Sequence, residues 1–135
     1  MLLLGALGLA AIVAFFYLRA QGNPQAGDSS SASSDLARSY TDLCRVRTLA
    51  ETDVEGAANL FFGRVHSPLH VIAAEAQNRD RAVAAGMLEA KNDVETAFNQ
   101  RRPAAAVTTA LDRLLATTAQ ALRSIGVTSS TCEAR

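Results

Sequence analysis

The sequence lacks most signatures of chemistry. It has no C-x-x-C, so a thiol redox centre is not indicated, and no C-x-x-C-H for covalent haem. It has no E-x-x-H, so a di-iron helical bundle would miss its ligands. No Walker A loop, G-x-G-x-x-G or G-x-S-x-G occurs. Net charge is also missing: 13 Lys+Arg balance 13 Asp+Glu, which argues against nucleic acid as a partner, since phosphate binding needs a basic face. Trp is absent and aromatics are only 5% of 135 residues. No segment sustains an alternating apolar–polar pattern, so a β-rich fold is not expected, and no repeat of solenoid period is present.

Alanine is abundant, with 27 positions. The first feature along the chain is the apolar run LLLGALGLAAIVAFFYL over 2–18. A membrane span needs about 20 residues, with a range of roughly 17–25, whereas the apolar core of a signal peptide is roughly 7–15. Residues 1–19 therefore read as a transmembrane anchor, a helix inserted in the lipid bilayer through residues 2–18. Cleavage as a signal stays open, because Ala20-Gln21-Gly22 supplies small residues where a signal peptidase cuts, and the product would then be secreted. The segment 20–34, containing QGNPQAGDSSSASS, is too polar to bury a core and reads as a flexible serine-rich linker.

Residues 35–135 carry four apolar stripes of helical period. The first helix is expected from about Asp35 to Ala50, with Ser33 or Ser34 as N-cap and Leu36, Tyr40, Leu43, Val46 and Ala50 on one face. The second starts at Thr52, which forms a T-x-x-E capping box with Glu55, and runs to about Asn78 through Val54, Ala58, Phe61, Val65, Leu69, Ile72 and Ala76. Pro68 interrupts it, and because the stripe stays in phase a kink is expected there rather than a split. Asp80 caps a third helix with Val83, Met87, Ala90, Val94 and Phe98 inside. Pro103 opens a fourth as its first residue, and Gly126 closes it. The expected fold class is all-α: an N-terminal transmembrane helix followed by an antiparallel up-down four-helix bundle whose second helix is kinked at Pro68.

Cys44 and Cys132 are the only cysteines. In an up-down bundle the fourth helix ends near the level where the first begins, so the tail can carry Cys132 back to Cys44. Paired cysteines persist in oxidising compartments, and the expected disulfide places the domain outside the cytoplasm. Arg19, after the apolar run, hints at the opposite orientation; the cysteine pair carries more weight than one charge.

His66 and His70 are the only histidines, four residues apart on the second helix. That spacing suits a helical metal site, but Ser67 stands where H-E-x-x-H has its Glu, and a third ligand such as Glu75, Glu89 or Asp93 would have to converge from elsewhere. Boundary histidines are the plainer explanation. Phe62, His66 and Pro68 mark a groove beside the kink. Arg101 and Arg102 read as solvated loop charge, and Glu89 and Asp93, with Lys91 between them in sequence, as a solvated face. The chain resembles, in style and not in any motif, small Ala- and Arg-rich exported helical proteins of bacteria, a likeness that implies no activity. The expected function is thus that of a membrane-anchored accessory or interaction module with no cofactor and no catalytic residues, its partner another membrane or periplasmic protein. The alternative is a metal-binding helical domain using His66 and His70.

Overall fold

The computed structural model describes residues 28–132; the expected anchor at 2–18 and the linker up to 27 lie outside them. The elements are α1 (Asp28–Leu49), α2 (Val54–Leu60), a π-helical turn (Phe61–Val65), α3 (His66–Gln77), α4 (Arg81–Asn99) and α5 (Ala104–Ser124). α2, the π turn and α3 follow one another without a break in helical dihedrals, so the described chain is four helices, with no strand among the described residues. No helix among them is long and apolar enough to cross a membrane. The all-helical, four-helix expectation holds.

The packing below is that of the residues from Ser31 on, which make one compact unit. Pairs across the interfaces give the helix directions. Val54 and Ala58 share a cleft with Phe98, while His66 meets Glu95 further along, so the second helix and α4 run in opposite senses. Arg113 of α5 reaches Asp93 at 2.6 Å and Glu89 at 3.0 Å on α4, across a short turn. Arg47 near the end of α1 bonds Asp112 at 2.9 Å, and Thr41, nearly two turns earlier, meets Ser130 beyond the end of α5; α1 is antiparallel to α5.

The apolar stripes supply the core. Leu43, Val46, Phe61, Leu69, Ile72, Met87, Val94, Val107, Leu111 and Leu114 are fully buried. Val54, Ala58, Val83 and Ile125 are only partly so, and in α2 the fully buried position is Ala57, not Ala58. The buried sequence Ala57, Phe61, Val65, Leu69 advances by steps of four, and in an α-helix each such step overshoots a full turn by about 40°. The π turn at Phe61–Val65, which takes one more residue per turn, removes that drift and keeps the row inward.

Where a kink was expected at Pro68, the described departure from α-helical bonding is the π turn, which precedes the proline. Pro68 has no N–H, so the Arg64 carbonyl loses its usual α-helical donor, and the ring crowds that carbonyl. The chain responds one turn ahead of the proline. The His66 N–H bonds the Phe61 carbonyl, five residues back, and α3 continues regularly through Pro68.

The helix ends correct several expectations. α1 begins at Asp28, so Ser33 and Ser34 lie inside it and do not cap it, and residues 28–34 of the serine-rich stretch are helical. The second helix is capped by Asp53, not Thr52: the Asp53 carboxylate accepts the Gly56 N–H at 2.8 Å. It folds so closely over residue 56 that a Cβ there would lie 2.2 Å from it. Asp80 caps α4 as expected, accepting from Ala82 and Val83. Pro103 is the N-cap of α5 and not its first residue. Gly126, at φ +77°, ends α5, with Val127 N–H to Leu122 O and Gly126 N–H to Arg123 O closing the turn as in a Schellman motif. The same bond pair ends α4, from Arg102 to Ala97 and from Arg101 to Phe98, but there the left-handed residue is Arg101, at φ 50°.

Cys44 and Cys132 form the expected disulfide, Cα–Cα 5.4 Å. It fastens the tail after α5 to α1. Thr118, in the second half of α5, is fully buried and its hydroxyl has no hydrogen-bond partner among the described residues. An unsatisfied buried hydroxyl costs about 1–3 kcal/mol. Thr118→Val, close in shape, should raise the denaturant midpoint by the equivalent of about 1 kcal/mol at unchanged slope; a lower midpoint would mean the hydroxyl is stabilising.

Candidate functional site

Where the π turn faces α4, the chain gathers its aromatic and titratable side chains. Phe61 is fully buried and anchors the row. Its ring lies 5.6 Å from Phe98 and 5.2 Å from Phe62, centroid to centroid. Phe62 is 43% exposed and stands 5.9 Å from His66, whose ring meets that of His70 at 4.9 Å, edge to face. The candidates Phe62, His66 and His70 are therefore brought together, and Pro68 lies between the two histidines on the same helix.

Two side chains of this cluster, Glu95 and Lys91, were missed from sequence. His66 Nε2 lies 2.7 Å from Glu95 Oε1, and Lys91 Nζ bonds the same oxygen at 2.6 Å. Lys91 is 4% exposed, although Glu89 and Asp93 on either side of it in sequence are exposed as expected. Its position was detectable: Met87, Lys91, Val94 and Phe98 follow steps of four, three and four, so the lysine lies on the apolar stripe of α4. An unpaired ammonium at such a site would be costly, and Glu95, one turn on, neutralises it. Burial pushes the Glu95 carboxyl up, but the Lys91 hydrogen bond and charge, aided by His66, outweigh this and hold it below the ordinary glutamate range.

The metal expectation finds two imidazoles facing each other, with the one neighbouring carboxylate, Glu95, already engaged by Lys91. Glu89 and Asp93 are taken by Arg113, and Glu75 is exposed on α3. Among the described residues no group of three or more His, Cys, Asp or Glu side chains is arranged to hold a metal ion. Comparison with protein-family models, with curated proteins and with solved structures returns no match.

Because Lys91 is buried and Glu95 is its counter-charge, removing the carboxylate should cost more than removing the pair's cation. Glu95→Gln is expected to destabilise by about 3 kcal/mol, the scale of a buried charge left unpaired, whereas Lys91→Met, apolar and of similar length, should cost under about 1 kcal/mol. The acid limb gives a second readout. A carboxyl with a lowered folded-state pKa contributes stability that is present above the unfolded value, about 4.3, and lost as pH falls through the folded value. Urea titrations between pH 7 and pH 3 should show this loss in the native chain and a flatter profile in Glu95→Gln. Equal costs for the two substitutions would contradict the pairing.

Proposed function

We propose that the chain is a single-pass, membrane-anchored module whose helical domain stands outside the cytoplasm and acts through contact with another membrane or periplasmic protein, without catalysis of its own. The observation that carries this reading is the Cys44–Cys132 disulfide, since such bonds persist in oxidising compartments and are rare in the cytosol. The apolar run 2–18 accounts for export and attachment. In the finer form of the fold, that run is the transmembrane helix preceding the up-down bundle. The exposed Phe62, beside His66 and Pro68, supports a contact surface along the π turn, because exposed aromatics are favoured in protein interfaces. The facing histidines favour metal handling less, because the carboxylate beside His66, that of Glu95, is engaged by Lys91 and no group of three ligands is arranged around them among the described residues.

Topology tests the reading directly. In cells expressing the full chain with a C-terminal epitope, the protein should resist carbonate extraction from membranes. The epitope should be digested by protease added to the outer side of an intact plasma membrane, and maleimide should label the cysteines only after reduction. An epitope protected until the membrane is lysed, with both thiols free, would overturn it.

A further inference from the structure

We propose that the cleft between α2 and the end of α4 binds a small amphipathic carboxylate, with its apolar body on Phe98 and its charge on Arg101 and Arg102. The cleft measures about 470 Å³ and is lined by Val54, Glu55, Ala58, Phe98, Arg101 and Arg102, a size within the range of small-molecule sites. Its floor is apolar. Phe98 is 7% exposed and belongs to the core cluster, against which Val54 and Ala58 also pack, so an apolar ligand body would extend the core itself.

The rim is cationic and partly oriented. Gln100 Oε1 accepts from both Nε and Nη2 of Arg102, at 2.9 and 2.7 Å. The guanidinium plane is fixed by one neutral side chain, and its Nη1 edge is left without a hydrogen-bond partner among the described residues. A guanidinium held in this way is suited to planar carboxylate recognition. Neither Arg101 nor Arg102 forms an ion pair with a carboxylate among the described residues. Arg101 is the only non-glycine residue with positive φ among them. It occupies the position where glycine ends α5, at Gly126, and a side chain there is strained. The cap that ends α4 sets Arg101 in this conformation and so puts an arginine, where glycine would cost less, on the lining of the cleft. Glu55 on the opposite wall is exposed and works against an anion, and this gives the proposal a signed control.

The probe is 4-phenylbutyrate, titrated into the full chain by calorimetry and by amide spectra, with 4-phenylbutan-1-ol and inorganic phosphate as comparators. The expected result is saturable binding that shifts the amides of residues 54–58 and 98–102, about tenfold or more tighter than either comparator. Arg102→Gln should weaken it by about tenfold, and Glu55→Gln should tighten it severalfold. Arg101→Gly separates binding from folding: it should weaken binding severalfold while raising the melting temperature by about 2–5 °C, because the left-handed strain is relieved. No saturation by about 10 mM would overturn the proposal. So would equal affinity for the alcohol, which removes the role of the arginines, or for phosphate, which removes that of the apolar floor.

Discussion

The Cys44–Cys132 bond is the constraint on which this small domain leans most heavily. Ala50, Ala57, Ala73, Ala76, Ala84, Ala90, Ala97 and Ala121 all sit in its core. Each lets two helices approach closely but removes little apolar surface from water, at roughly 25 cal/mol per Å². α1 adds Tyr40, Leu43 and Val46 to that core and touches α5 through the partly exposed Arg47–Asp112 pair, a type of contact worth at most about 1 kcal/mol. The disulfide closes a separation of 88 residues and in the chain-entropy model contributes about 4–5 kcal/mol. That is comparable to the whole net stability of a small domain. It also joins the account of the fold to that of location, since the bond that holds α1 in place is one that an oxidising compartment maintains.

A second constraint shapes the surface beside the π turn. The row of buried side chains on the second helix is spaced by fours, and Pro68 denies the helix one hydrogen bond. One wide turn meets both requirements. It leaves Phe62 outside while Phe61 goes inside, and it sets His66 over Glu95. The Lys91–Glu95 pair is thus neighbour to both the aromatic row and the exposed phenylalanine. π turns recur at functional sites, and here the turn sets the helix's Phe61, Phe62 and His66 beside the Glu95 carboxylate of α4.

Helical periodicity and the cysteine pair were legible in the sequence because both depend on patterns that survive without tertiary information. The stripe Val107, Leu111, Leu114, Thr118, Ala121 is buried as its spacing implies, and Cys132 reaches Cys44 because the tail after α5 runs beside the antiparallel α1. Helix ends were less legible. Thr52 and Asp53 are both good caps by chemistry, and the choice fell to Asp53 because Gly56 leaves room for its carboxylate. The run Ser29-Ser30-Ser31-Ala32-Ser33-Ser34 lacks apolar periodicity, yet it continues the helix that begins at Asp28, an outcome local propensity does not favour. At the candidate site, the histidines were visible as a pair, while Glu95 was not, because its relevance comes from the antiparallel packing of α4 against α3. Lys91 was legible in principle, since a charge on an apolar stripe calls for a partner one turn away.

The most direct measurement is chemical denaturation of the chain, oxidised and with Cys44 and Cys132 both changed to serine, with amide exchange followed helix by helix. The account predicts a loss of about 4–5 kcal/mol in the variant, with protection falling first and furthest in α1. Equal stability of the two proteins, with α1 as protected as α5 in both, would show that the helical core alone holds the first helix and would contradict the central role given to the bond.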